Sequence, residues 1–307
     1  MRNIFIKNLL EAAETNPDLY LITGDLGYRA LEPFRDRFPD RFLNAGIAEA
    51  NMVGLAAGLA LSGKRVCVYS IIPFLVFRAL EQIRNDIAYQ NLDVKIVGPG
   101  GGFSYGNQGP SHNTAEDVAI MRALPNMAVL CPGDKTEATL AIKAMLATPG
   151  PAYIRLGKAG EKEIYAGTPE FSIGKILPVK SGDDLTLVST GNIIETALAA
   201  AEILEKSGLS VRILSAPSLK PFDEEAVAQA ARETKGIFTV EEHGPVGGLG
   251  SAVAKILADS DLQNIKFAKF GMADDSCLCI GSQDYLRRQN GLYPEHIAAE
   301  ILKQFET

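Results

Sequence analysis

The side chains in this sequence that are placed to do chemistry fall in four stretches. In the first, Gly46-Ile47-Ala48-Glu49-Ala50-Asn51, Glu49 is an isolated charge at the start of the helical pattern GIAEANMVGLAAGLALSG. A lone carboxylate there either sits exposed and complements the positive end of the helix or, once buried, needs a hydrogen-bonding partner. Gly54, Ala56, Ala57, Gly58 and Ala60 give the same helix a small-residue surface, which lowers its propensity and lets another backbone approach. In the second stretch, Phe74 and Phe77 stand three apart on one face of a helical pattern, a spacing that ordinarily serves a core. The third, GPGGGFSYGNQGPSH at 98–112, carries six glycines in 15 positions. So much glycine brings backbone close to a ligand or makes tight turns, yet it matches neither GxGxxG with a following acid nor GxxxxGK[ST]. It includes Gln108 and ends on His112. A lone His is more often structural than chemical, but a glycine-rich loop in an α/β domain is where ligands usually bind. The fourth is Arg155 in PAYIRLG, at the end of a strand pattern. An Arg there can hold a phosphate or carboxylate bidentately, or make an ordinary surface ion pair.

The elements that must position these residues alternate along the chain. Short apolar runs predict strands at 18–23, 65–70, 92–97, 127–131, 152–156, 185–190, 210–215, 236–241 and 265–270. Amphipathic stretches predict helices near 2–14, 47–61, 74–90, 114–123, 134–147, 191–206, 223–233, 247–258 and 294–305. The alternation implies an α/β protein of two domains, each a mainly parallel sheet flanked by helices. Thr114 is expected to cap the helix it precedes, Asp134 to cap the next with Glu137 completing a capping box, and Gly208 to end the helix that starts near 191. The Gly-, Lys- and Glu-rich stretch 161–180 reads as a linker between a first domain at 1–160 and a second at 181–307.

Length and composition bound the remaining choices. A chain of 307 residues suggests about two domains. With 47% hydrophobic and 22% charged residues it is expected to be globular, not disordered. The net charge of −7 argues against a general nucleic-acid partner, and no apolar run reaches the ~20 residues of a membrane helix. Cys67 and Cys131 lie in strand-like runs and read as buried thiols; Cys277 and Cys279 are too close for a relaxed bridge, and no Cys/His set completes a zinc site. A reducing cytoplasm is the expected compartment.

In order and spacing, GIAEANMVGLAAGLAL, RALEQIRND, GPSHNTAEDVAIMRALPNM and PAYIRLGKAG resemble the transketolase family of thiamine-diphosphate enzymes. The resemblance covers nearly the whole chain. It implies the family's pyrimidine-binding domain followed by its C-terminal domain. It also implies that Glu49 hydrogen-bonds the ring nitrogen of the cofactor's aminopyrimidine, sharing a proton so that the thiazolium carbon becomes a nucleophile. The hard chemistry is then the cofactor's. By the same resemblance Phe74 and Phe77 stack on the pyrimidine, His112 contacts substrate hydroxyls, Arg155 binds a substrate phosphate and Asp25 lies near the thiazolium.

The departures from the family pattern carry information as well. Gln108 stands where the family has an Asp, and Arg29 stands near a usual phosphate-binding Ser; both are expected at the substrate. The glycine run around Gly100 replaces a second His, and the Gly-Asp-Gly motif with its downstream Asn, which holds diphosphate and Mg²⁺, is absent. With an opening Met and a whole first helix, the chain is expected to be the C-terminal subunit of a split transketolase-type enzyme. That enzyme transfers a two-carbon ketol unit from a phosphorylated or otherwise anionic ketose to an aldose. A separate N-terminal subunit would carry Gly-Asp-Gly and most of the Mg²⁺ site, and the small-residue helix would support self-association in a heterotetramer-like assembly. No metal ligand is assigned within this chain. A deoxyxylulose-phosphate-synthase-like subunit, a 2-oxoacid dehydrogenase β-type subunit and an inactive scaffolding paralogue are the alternatives.

Overall fold

The computed structural model describes the chain except residues 159, 261–264, 275–278 and 306–307, so Cys277 lies outside the described residues. The strands are β1 (Leu19–Thr23), β2 (Phe42–Asn44), β3 (Arg65–Tyr69), β4 (Val94–Pro99), β5 (Ala128–Leu130), β6 (Ala152–Leu156), β7 (Leu177–Lys180), β8 (Leu185–Thr190), β9 (Val211–Ser215), β10 (Ser218–Lys220), β11 (Gly236–Glu241) and β12 (Lys266–Phe270). The helices are α1 (Arg2–Thr15), α2 (Glu32–Arg37), α3 (Glu49–Leu61), α4 (Leu80–Gln82), α5 (Asp117–Ala123), α6 (Lys135–Ala147), α7 (Ile194–Lys206), α8 (Glu224–Glu233), α9 (Leu249–Ala258), α10 (Gln283–Gln289) and α11 (Pro294–Phe305).

Among the described residues the strands form two sheets, ordered β10-β5-β6-β4-β3-β1-β2 and β12-β11-β8-β9-β7. All pairs are parallel except β10 on β5 and β7 on β9. Both sheets are flanked by helices, and the fold is α/β as expected. Parallel strands buried on both faces need apolar side chains on both, and β4, β6, β8 and β11 are buried along their whole length. No helix among the described residues is long and apolar enough to cross a membrane.

The two halves share a core. Ile22, Val68 and Ile96 of the first sheet belong to one apolar cluster with Val188, Leu214, Val227 and Ile237 of the second half. β10 crosses over and pairs antiparallel with the edge strand β5, covering hydrogen-bonding groups that an edge would otherwise expose.

Local structure departs from the expected elements at some points and follows them at others. The linker expected at 161–180 ends in β7 and is strapped down before it: Ile164 N–H donates to Asp134 Oδ2 at 3.0 Å and the Tyr165 hydroxyl to Glu137 Oε1 at 2.6 Å. Thr114 does not cap a helix. α5 begins at Asp117, and the Thr114 hydroxyl accepts instead from the N–H of Gly102 at 2.9 Å. The helix expected at 74–90 is broken into two π-helical turns, Pro73–Phe77 and Ile83–Ala88, on either side of α4. π turns of this kind often mark functional sites. Asp134 does cap α6, accepting from Glu137 N–H at 2.7 Å, while Glu137 reaches back to Gly133 N–H at 2.6 Å. Gly208, at φ +89°, ends α7.

Candidate active site at the carboxyl edge of the first sheet

In a parallel sheet, loops at the carboxyl ends of the strands form the ligand crevice. β1 leads to Asp25, β2 to Glu49, β3 to Phe74 and Phe77, and β4 to Gln108 and His112, so these residues hang from one edge.

Glu49 opens α3 and is only 1% exposed. Its Oε2 accepts from Arg78 Nη1 at 2.5 Å, which meets the requirement that a buried charge be paired. The backbone is tight beside it: a Cβ on Gly24 would lie 3.2 Å from the Gly46 carbonyl oxygen and 3.7 Å from Glu49 Cγ. The turn after β1 therefore abuts the start of α3. Asp25, in the left-handed region at φ +57°, accepts from the Tyr28 hydroxyl and from Asn44 Nδ2, each at 3.0 Å.

The first π turn carries Phe74 and Phe77, the latter 38% exposed. Arg78 follows it, and its guanidinium carbon lies 5.2 Å from the Phe74 ring centre, a cation–π distance. Phe74 also meets His112 edge to face, with 5.1 Å between centroids. His112 Nδ1 is 3.0 Å from Ser111 Oγ, and Tyr105 stands 6.4 Å away, ring to ring. Lys158 Nζ lies 5.1 Å from the Tyr105 ring centre. Glu49, Arg78, Phe74 and His112 thus form a continuous series of contacts. A buried carboxylate next to partly exposed aromatic rings suits a flat heterocycle carrying a ring nitrogen. Among the described residues, no group of three or more His, Cys, Asp or Glu gathers for a metal ion.

Gln108 sits exposed on the 3₁₀ turn Gly106–Gln108, four residues before His112. Arg29 does not join the cluster. It lines a cleft with Asn3, Lys7 and Glu11 of α1. Arg155 is the main correction. It is 8% exposed, and its guanidinium donates to Asp117 Oδ2 at 2.9 Å, the Thr114 carbonyl at 3.2 Å and the Glu242 carbonyl at 2.9 Å. Its Nε and Nη2 are thus committed to the interior. Burial pushes the Asp117 carboxyl up, but Arg155, then His243 and Tyr153, outweigh it and hold it below the usual range. Sequence reasoning does not single out Arg78, Tyr105 or Lys158. Arg78 stands next to Phe77 and Lys158 three residues after Arg155, but their partners come from distant segments.

The chain is similar to known proteins along nearly its whole length. Residues 1–160 match the family model for the transketolase pyrimidine-binding domain, and residues 174–297 that for the transketolase C-terminal domain. A putative transketolase C-terminal section from Methanocaldococcus jannaschii is 39% identical over all of this chain and 96% of its own length. One of the subunits of an apulose-4-phosphate transketolase, from Phocaeicola vulgatus, is 38% identical over 84% of each chain. A solved split-gene transketolase, an inactive β4 tetramer, aligns with a TM-score of 0.90 and 36% identity over 99% of this chain and 97% of its own.

The burial of Arg155 makes a testable claim. Arg155→Ala leaves Asp117 charged and unpaired in the interior, so it should lose about 3–5 kcal/mol in denaturant unfolding. Neutralising both partners, as in Asp117→Asn with Arg155→Met, should lose less. Unchanged stability in Arg155→Ala, together with a raised KM confined to anionic substrates, would return Arg155 to the role of an anion site.

Proposed function

This chain belongs to the transketolase family, and we propose that it works as the C-terminal subunit of a split transketolase-type transferase. Together with a separate N-terminal subunit it moves a two-carbon ketol unit from a phosphorylated ketose to an aldose. The family is in general thiamine-diphosphate-dependent. The observation that carries the reading is Glu49, a buried carboxylate linked through Arg78 to Phe74 and on to His112. The relatives of matching length support the division, since one is named as a C-terminal section and the other as one subunit of a transketolase.

Bound thiamine diphosphate supplies the nucleophile that carries the two-carbon unit. The chain's own residues bind and orient. Glu49 holds a proton at the pyrimidine ring nitrogen, and Phe74 and Phe77 present their rings to the pyrimidine. Arg78 then yields its place on Glu49, its half-exposed side chain leaving it free to swing outward. Asp25 lies toward the thiazolium, and His112 and Gln108 contact substrate hydroxyls. With Arg155 committed to the interior, the exposed Lys158 beside Tyr105 is the cation we assign to the substrate's phosphate.

The diphosphate and Mg²⁺ fall to the N-terminal subunit, which carries Gly-Asp-Gly. The face that meets other chains is α3 and its entry: Ile47 is 76% exposed, Leu55 and Leu61 are exposed, and Gly54 and Gly58 have open space where a side chain would stand. Exposed apolar surface of this kind marks an association site. Self-association on it gives a heterotetramer-like assembly, and a cytoplasmic setting suits a phosphorylated sugar.

Two assays check this reading. The purified chain should not turn over a ketose phosphate, and adding the Gly-Asp-Gly-bearing subunit should restore turnover. In that reconstituted enzyme Glu49→Gln should fold normally and lose ~10²-fold or more in kcat, the range of a lost acid–base group. Full activity from the single chain, or near-normal turnover in Glu49→Gln, would overturn the proposal. Lys158→Ala should raise KM for the phosphorylated ketose far more than for its unphosphorylated analogue; an equal effect on both would remove Lys158 from the anion site.

A further inference from the structure

From Gly102 to Gly109 the glycine-rich segment 98–112 lies against the second domain, while Gly102 is also tied to Thr114 of its own domain. Gly102 N–H donates to the Thr114 hydroxyl, and Phe103 N–H donates to Glu242 Oε1 at 2.5 Å. The Phe103 ring is fully buried in the second domain's core with Leu187, Phe238 and Leu286. Gly281 N–H donates to the Gly106 carbonyl at 3.2 Å. A Cβ on Gly102 would fall 2.3 Å from Glu242 Oε1, and one on Gly106 2.3 Å from Leu286 Cδ1 and 2.7 Å from the Gly281 carbonyl. These glycines are therefore required for close approach of the other domain.

A segment so rich in glycine has large conformational entropy to lose and cannot hold one shape unaided. Glu242 is 2% exposed and serves three donors: Phe103 N–H, Gln283 Nε2 at 2.9 Å and Arg287 Nε. Arg287 is also tied to Asn192 Oδ1 at 3.0 Å. The carboxylate thus links α10, and through Arg287 the turn at Asn192, to one backbone N–H of the loop. Nine residues further along that loop stands His112, against Phe74.

We propose that the second domain is the mould for the substrate-facing loop and that Glu242 is its positioning residue, fixing Phe103 and through it the placement of Gln108 and His112. The positioning rests only on contacts within this chain. Its effect on substrate rests on the reading of His112 given above.

Two variants separate reach from charge. Glu242→Asp keeps a buried carboxylate for Arg287 but draws it one methylene back from Phe103 N–H. Glu242→Gln keeps the reach of the acceptor oxygen and removes the charge, leaving Arg287 its bond to Asn192. Hydrogen exchange on the intact chain should show residues 100–112 exchanging at least about tenfold faster in Glu242→Asp, the factor expected from losing one charge-assisted bond. Exchange in β8 and β11 should be unchanged. Glu242→Gln should stay closer to wild type. In the two-chain enzyme, Glu242→Asp should raise KM for the ketose with cofactor affinity unchanged. Wild-type exchange in Glu242→Asp, or loosening in Glu242→Gln alone, would overturn the proposal. Faster loop exchange in Glu242→Asp with wild-type KM would uphold the positioning and remove His112 from the substrate.

Discussion

A guanidinium buried where two domains meet constrains most of this structure. A charge taken out of water must be fully paired. Arg155 meets that condition with one carboxylate from the start of α5, one carbonyl from Thr114 and one carbonyl from Glu242 in the second domain. Its neighbours follow from the same demand. Tyr153 donates to the shared Asp117 oxygen at 2.6 Å, and Glu242 turns its own side chain toward the glycine loop. The loop rests on the Arg155 side chain as well, since a Cβ on Gly101 would fall 2.7 Å from Arg155 Nε. Domain packing and loop shape are therefore one problem with one solution, and the loop shape places His112.

The part of this that could be read from the sequence is the part that depends on local pattern. Runs such as LTLVST and GIFTVE announce buried parallel strands, and each is one. Asp134 and Gly208 mark helix ends because a cap is a contact within one turn. Glu49, Phe74 and His112 were legible as a set only through resemblance to a family, since no spacing says that residues 49, 74 and 112 converge. Local reasoning failed where a distant partner decides. Thr114 looks like a cap, but its hydroxyl is taken by Gly102. Arg155 ends a strand at the ligand edge, as an anion-binding residue would, yet Asp117 and the second domain claim it. β10 is three residues long and exists because β5 offers an edge. The glycines of 98–112 signal close approach correctly, but at 102 and 106 what approaches is the other domain.

Glu49 pairs with Arg78, which also lies over the Phe74 ring. A buried carboxylate in a folded chain needs a partner, and Arg78 supplies it. The same logic applies to the exposed apolar residues Ile47, Leu55 and Leu61 around α3, which are left in water unless another chain covers them. Both features fit the proposed division, in which another chain covers this face and supplies the diphosphate end of the cleft.

Calorimetric titration of thiamine diphosphate with Mg²⁺ tests that division most directly, because it reads the cofactor cleft without depending on the identity of the sugar. The isolated chain should give weak heat or none, and the same chain mixed with the Gly-Asp-Gly-bearing subunit should bind tightly, with Glu49→Gln weakening the complex. Tight, saturable binding by the isolated chain would contradict the account and would locate a complete diphosphate site within these residues.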